Sequence, residues 1–361
     1  MNLKLKTTCL HDCHVKLGAL MSPFGGFDMP IQYSGIEQEH RAVREHCGVF
    51  DVSHMGEVAI TGPDAERFVN HIFTNDVSSM PDGKILYGMM LNPNGGIVDD
   101  LLVYKRGAND FFLVINASNI DKDIAWIESN ATGFDITIDH QSDSWGELAV
   151  QGPDSERIMN DILGIDGSNL LFYTFKTIDD IIVSRTGYTG EDGFEIYADA
   201  DKINSYWQLL IDNGIQPCGL GCRDTLRFEA GLPLYGDELA DDISPLEAGL
   251  GIFVKLDKPG FIGRDALVEQ KAQGVPRKIV GIELNGQAIP RHGYEVLDTD
   301  GNNVGVVTTG YHSITLDRNI AMALVDARHT ALGTPLQVKV RRKIFPASVI
   351  KKRFYTPNYK K

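Results

Sequence analysis

Two neighbouring aspartates, Asp99 and Asp100, interrupt an otherwise apolar run from Ile97 to Tyr104. In a strand, alternation puts Asp99 on the face of Ile97 and Leu101, and Asp100 on the face of Val98, Leu102 and Tyr104. Both faces are mostly apolar, and an isolated buried charge is costly, so a carboxylate here must be paired, hydrated or functional. Acids exposed at a sheet end are an equally ordinary reading, and alternation cannot choose between the two aspartates. A second candidate is SRTGYTGEDGFE, from Ser184 to Glu195, with three glycines around Tyr188. Glycines let a backbone approach a flat ligand closely, and the ring can stack on it, although a plain hairpin loop explains the same composition. No Gly-Lys-Ser/Thr and no G-x-G-x-x-G is present, so this is not a phosphate loop. A third segment, Gly219 to Leu239, sets Arg223, Asp224, Arg227 and Glu229 at helical spacing with Leu226 and Ala230, for which helical ion pairs are a sufficient account. Cys9, His11, Cys13 and His14 are close enough to suggest a metal, yet no second Cys/His pair follows at zinc-finger spacing, and no metal is expected.

The elements that position these residues repeat. GEVAITGPDAER, Gly56 to Arg67, and GELAVQGPDSER, Gly146 to Arg157, are nearly identical. Each reads as a short strand followed by Gly-Pro, which opens a helix with proline at its first position. LLVYK then follows Asp99-Asp100, and IIVSR follows Asp179-Asp180. Each leads to another strand (FFLVIN, FEIYA) and a helix, roughly Asn119 to Ile127 and Lys202 to Ile211. The expectation is α+β: two related α+β units from one internal duplication. Asn92-Pro-Asn-Gly-Gly96 is a turn cluster that closes a hairpin just before the acid pair. Ser34-Gly-Ile-Glu37 has the pattern of a capping box, opening a helix whose apolar-leaning face is Ile36, Val43 and Cys47 and which ends at Gly48. After about residue 275 the chain turns strand-rich, which predicts a separate β-barrel or jelly-roll-like domain.

At 361 residues the chain is long enough for two or three domains, and 43% hydrophobic with 23% charged residues is an ordinary globular composition. The formal charge of -15 opposes wholesale binding of nucleic acid or anionic membrane. No run of 18 apolar residues occurs, five cysteines form an odd set, and no secretory pattern opens the chain, so a cytoplasmic protein with reduced thiols is expected. Against the acidic background, Lys339, Arg341, Arg342, Lys343, Lys351, Lys352, Arg353, Lys360 and Lys361 stand in a terminal stretch without Asp or Glu. Such a run is a solvated face or a docking surface for an acidic partner.

FDVSHMGE (Phe50 to Glu57), NPNGGIVDDLLVY (Asn92 to Tyr104), SRTGYTGEDGFE and GLGCRDTLRFEAGLPLYGDEL, in that order, resemble the T-protein family of the glycine cleavage system over the whole chain. The resemblance implies a three-domain cloverleaf around a central folate site, with one α+β domain at 1–50 and 140–240, a second at 51–139 and 241–275, and a β-barrel at 276–361. It implies an aminomethyltransferase that moves a one-carbon unit from the lipoylated H-protein to tetrahydrofolate. Asp100 is then the carboxylate at the folate nitrogens and Glu195 the grip on the pterin, while Arg227, Tyr87, Asn116, Tyr188 and the C-terminal Tyr359 line the ligand. Phe354 to Tyr359 matches the family's terminal motif only loosely. Demethylating domains and a non-catalytic folate-binding protein of the same fold are the alternatives; the former usually follow a flavin domain, and no dinucleotide fingerprint occurs here.

Overall fold

The structure is a computed structural model that describes residues 4–359, so Lys360 and Lys361 of the basic terminus lie outside it. An N-terminal section of α1 (His11–Lys16), β1 (Leu20–Phe24), β2 (Phe27–Gln32), α2 (Ile36–Glu45) and β3 (Gly48–Asp51) precedes the duplication. The first unit runs β4 (Gly56–Thr61), α3 (Ala65–Ile72), β5 (Ile85–Leu91), β6 (Ile97–Gly107), β7 (Asp110–Ile115), α4 (Ile120–Ser129) and β8 (Thr137–His140). The second repeats the order as β9 (Gly146–Gln151), α5 (Ser155–Asp161), β10 (Phe175–Ile178), β11 (Ile181–Ser184), β12 (Gly193–Ala198), α6 (Ala200–Asp212) and β13 (Gln216–Pro217).

Sheet topology repeats as well: β5-β6-β7-β4-β8 in one sheet and β10-β11-β12-β9-β3-β13 in the other, with β3 beside β9 where β8 lies beside β4. Register makes the equivalence residue by residue. Gly56 pairs with Ile115 and Gly146 with Ala198; Tyr104 pairs with Ile85 and with Phe112, Ser184 with Phe175 and with Glu195. Equivalent residues also meet across a local twofold: Lys84 bridges Thr174, and the Tyr104 hydroxyl lies 3.2 Å from Ser184 Oγ. Each sheet buries its own core, Val58, Ile60, Phe68, Phe111 and Leu113 in the first and Leu148, Val150, Phe194, Ile196 and Trp207 in the second.

Several local expectations are corrected. Pro63 and Pro153 sit in the turns ahead of α3 and α5, whose N-caps are Asp64 and Asp154. The capping box at Ser34 does not form. Glu39, one turn further on, accepts the backbone N–H groups of Tyr33, Ser34 and Gly35 through Oε1 at 2.6, 3.0 and 3.2 Å, and that of Gly219 through Oε2 at 2.8 Å. A buried carboxylate with four donors outcompetes a solvated one. Gly48 starts β3 rather than ending the helix, because it pairs with Gln151 of β9 and Gln216 of β13; a Cβ there would lie 2.5 Å from Cys218 Sγ.

Beyond the duplication, α7 (Leu220–Glu229) packs on α2 and β2, and α8 (Arg264–Gln273) leads into the third lobe. Strands β14 (Arg277–Leu284), β15 (Glu295–Leu297), β16 (Asn303–Ser313), β17 (Arg318–Asp326), β18 (Pro335–Val340) and β19 (Lys343–Ile350) close into a barrel in the order β14-β17-β16-β15-β18-β19. Closure comes from β19 returning to β14, so the jelly-roll alternative does not hold. The tail after β19 runs back to the duplicated units: Tyr355 N–H reaches the Glu229 carbonyl at 2.7 Å and Asn358 N–H the Gly190 carbonyl at 2.9 Å.

Candidate functional site

The turn at Asn92 to Gly96 is pinned from outside, which fixes the strand that carries the acid pair. Asn92 Nδ2 donates to the Asp241 carbonyl at 2.9 Å, and Ile97 N–H to the Ala240 and Ile243 carbonyls at 3.1 Å. A Cβ on Gly96 would lie 1.8 Å from the Asp241 oxygen, so this close approach requires glycine. From there β6 delivers Asp99 into the interior and Asp100 to the opposite face, partly buried.

Asp100 is held at both oxygens. The Tyr87 hydroxyl donates to Oδ2 at 2.9 Å and Asn116 Nδ2 to Oδ1 at 2.9 Å. Tyr87 is itself braced edge-on by Phe253, with ring centroids 4.8 Å apart. Burial, and then the charge of Asp99, raise the Asp100 carboxyl above the usual carboxylate range, against the pull of Tyr87 and Asn116.

The second unit supplies Glu195 from β12, buried at 6% exposure. A relay of hydroxyls positions it: Tyr104 to Ser184 at 3.2 Å, Ser184 to Thr186 at 2.6 Å, and Thr186 donating to Glu195 Oε2. Burial raises its carboxyl, opposed by Thr186 and by the Arg223 guanidinium. Tyr188, in the SRTGYTGEDG loop, donates its hydroxyl to the Pro233 carbonyl, and Arg223 lies 4.8 Å over its ring. Tyr188 and Tyr87 both lie within electrostatic reach of Asp100 and of each other. Asp100 and Tyr87 of the first unit therefore lie near Tyr188 of the second, and Tyr173 lies within reach of both Asp100 and Glu195.

The GCVT N-terminal domain family matches residues 10–258, and the glycine cleavage T-protein C-terminal barrel domain family matches residues 277–356. The chain belongs to the glycine cleavage T-protein family. Among its relatives, an aminomethyltransferase from Alkaliphilus oremlandii is 52% identical, with 99% of this chain and 100% of the relative covered. One from Caldanaerobacter subterraneus is 50% identical over 99% of this chain and 98% of that protein. The crystal structure of glycine cleavage system aminomethyltransferase T from Bartonella henselae superposes with a TM-score of 0.95 at 35% identity, covering 99% of this chain and 100% of that one.

Arg227, expected at the ligand, is held by the protein itself. Arg227 is 1% exposed, and its N–H groups are all taken: Asp224 at 2.7 Å, Glu238 at 2.8 Å, and the Leu232 carbonyl, Asp237 and Thr309 at 3.3 Å. A guanidinium has five donors, so none remains for a ligand. Arg227 instead ties α7 to the barrel. One helical turn earlier, Arg223 has a buried Nη1 with no hydrogen-bond partner among the described residues. The sequence places it in the same segment as Arg227, with helical ion pairs as the account of both. Both arginines share one side of α7, and spacing cannot tell a knotted guanidinium from a free one.

Tyr359 does come to this region: it stacks on Phe172 at 4.4 Å, beside Tyr173. Tyr173, unforeseen, lies within reach of Asp100 and Glu195 as well, and its backbone holds φ at +60°. A non-glycine in that region is uncommon and gathers at functional sites, but its sequence context carries no signal of it. The early Cys/His group does not assemble around a common point. His14 is buried between Asp51 and the Tyr33 hydroxyl, each at 2.8 Å, and His11 pairs with Asp28 at 3.0 Å. Burial pushes the Cys9 thiol up to about 11.

Proposed function

We propose that the chain is the aminomethyltransferase of a glycine cleavage system, taking a one-carbon unit from the aminomethyl group on the lipoyl arm of H-protein and giving it to tetrahydrofolate. The products are 5,10-methylenetetrahydrofolate, ammonia and the dihydrolipoyl H-protein. The carrying observation is Asp100, a partly buried carboxylate fixed at both oxygens, in a chain matched end to end by aminomethyltransferases.

In this reaction the carbon loses its bonds to sulfur and to the departing nitrogen and gains bonds to two folate nitrogens. The two protons that folate gives up end on ammonia and on the lipoyl thiol. Asp100 sits against the folate nitrogens, where its negative charge favours the iminium-like carbon and its raised proton affinity suits it to take a folate proton near neutrality. Tyr87 and Asn116 hold that carboxylate in place, so the protein supplies orientation more than covalent chemistry. Glu195, with one oxygen steadied by Thr186, receives the paired N–H donors of the pterin edge. Tyr87, Tyr188 and Tyr359 give it apolar walls, and Arg223 rather than Arg227 offers the free cation.

The H-protein docks in part on the basic end of the chain. Lys351 and Arg353 are exposed there, whereas Lys352 is half-buried and donates to the Ala248 carbonyl. Among the described residues no helix is long and apolar enough to cross a membrane. The test is turnover with aminomethylated H-protein. Methylenetetrahydrofolate and ammonia should appear together and require both substrates, whereas folate binding without either product would leave a binding protein of the same fold.

A further inference from the structure

Behind Asp100 lies a carboxyl group that the proposed reaction leaves without a task. Asp123, on the first turn of α4, is fully buried, and neither of its oxygens has a hydrogen-bond partner among the described residues. The cation beside it is Lys122, with Nζ 3.8 Å from Asp123 Oδ1, beyond hydrogen-bond reach. That ammonium donates to the Val98 carbonyl and lies 4.0 Å over the Tyr235 ring. Asp123 faces Asp99, which is equally buried. Asn119 and Asp123 are one helical turn apart on one face, and Asn119 Nδ2 already donates to Asp99 Oδ1 at 2.8 Å.

Two carboxylates in contact and away from water cannot both be ionised. The donors decide which keeps the proton. Asp99 collects Asn119, Asn116 Nδ2 at 2.9 Å and the Asn116 backbone N–H at 3.2 Å, while Asp123 collects none. We propose that Asp123 is a neutral acid in the folded protein, donating its O–H to Asp99, and that this pair keeps one fixed negative charge behind Asp100. Asn116 transmits it, since its Nδ2 spans Asp99 Oδ1 and Asp100 Oδ1 at 2.9 Å each. Burial and then Asp99 itself raise the proton affinity of Asp123, in the same sense as the geometry. The other charged or titratable groups facing the pair are Asp100 on β6, Lys122 on α4, and Tyr235 with Asp241 beside it, and none of them donates to Asp123.

Asp123 is thus a positioning residue, and its effect on turnover rests on the reading of Asp100 as the reacting carboxylate. With Asp99 charged, Asp100 holds its proton more tightly. Without the Asp123 O–H, the Asp99 carboxylate loses a partner, and the charge that Asn116 transmits to Asp100 is no longer held in one arrangement. Asp123→Asn, whose amide still offers an N–H to Asp99, should keep the wild-type pH profile of kcat. Asp123→Leu should displace its acid limb by about one pH unit.

Independently of turnover, wild-type enzyme labelled with carbon-13 at its aspartate carboxyls should show by NMR a protonated carboxyl that persists at about pH 9 and is absent from Asp123→Asn. An ionised Asp123 at that pH, or an acid limb in Asp123→Leu that stays with the wild type, overturns the proposal. The spectrum needs no substrate, so it stands apart from the role of Asp100. Should neither variant fold, the wild-type spectrum decides alone: no protonated aspartate at that pH would refute the pair.

Discussion

In the first unit Asp100 precedes Tyr104 by four positions on β6; in the second Asp180 precedes Ser184 by four, and Tyr104 and Ser184 touch across the local twofold. The two aspartates are thus register equivalents with opposite surroundings. Asp100 is gripped by Tyr87 and Asn116 at the meeting of the units, while Asp180 is exposed and pairs with Lys202. Hairpin length makes the difference. Eighteen residues lie between the paired Ile85 and Tyr104, but eight between Phe175 and Ser184. The longer hairpin carries Asp100 along a full strand, whereas the shorter one turns at Asp179, whose φ of +53° leaves Asp180 at the tip. On the next hairpin the lengths reverse. The first unit turns tightly between β6 and β7, and the second inserts the loop that holds Tyr188. Glu195 stands where the first unit has Phe112, buried among Tyr104, Tyr197 and Trp145. Duplication supplied one scaffold, and unequal hairpins gave each copy its own acid in its own surroundings, Asp100 in the first and Glu195 in the second.

The sharpest way to break this comparison is to treat the equivalents alike. Asp100→Asn should lower kcat by about 10²- to 10³-fold while tetrahydrofolate affinity stays within a few fold, because the carboxylate acts on the developing cation. Asp180→Asn should leave both unchanged. In the wild type, kcat should fall as pH drops through the raised Asp100 value, above the range of an ordinary carboxylate. Equal losses in the two variants would mean that register, not hairpin length, assigns the function.

Glu195→Gln should act on binding instead. One acceptor becomes a donor facing a pterin donor, at a cost of roughly 1 to 3 kcal/mol in folate affinity by calorimetry. Arg223→Met should fall in the same range. If Glu195→Gln binds folate as the wild type does, the second unit contributes no acid to the pocket.

A smaller effect probes the contact between the copies. Tyr104 is fully buried, with its hydroxyl 3.0 Å from Tyr197 and 3.2 Å from Ser184. Tyr104→Phe should cost about 1 kcal/mol in urea unfolding, and a double-mutant cycle with Ser184→Ala should show coupling. Additive losses would make the twofold contact incidental.

Much of this was legible before any coordinates. The repeated GPD segments gave the duplication its register, and the Asn92 to Gly96 turn marked the longer hairpin. What stayed hidden depends on long-range closure or on partners. Barrel against jelly roll is decided by β19 returning to β14, a pairing with no local signal. Arg223 and Arg227 differ only in which groups surround them, and Asp123 reads as an ordinary acid in the first turn of a helix until its burial is known. The family resemblance, not strand alternation, points to Asp100 over Asp99. Alternation had left the two faces equal, and the difference lies in Asn116 and Asn119 capturing Asp99 from outside the strand.

The smallest expected effect concerns the third lobe, which has no counterpart in the duplication. The chain carries a formal charge of -15, yet its end displays Lys351 and Arg353 to solvent. Opposite charge on a docking surface acts mainly through association rate and is screened by salt. Lys351→Glu with Arg353→Glu should therefore raise KM for H-protein about two- to fivefold at low ionic strength and flatten its salt dependence, leaving kcat and free folate affinity alone. Lys352 belongs with the fold rather than with docking, because its ammonium is spent on the Ala248 carbonyl and burial lowers its proton affinity. Lys352→Met should change unfolding and not the salt dependence. If the double reversal leaves H-protein kinetics untouched at low salt, the exposed cations serve solubility alone, and the partner must be recognised by the duplicated units.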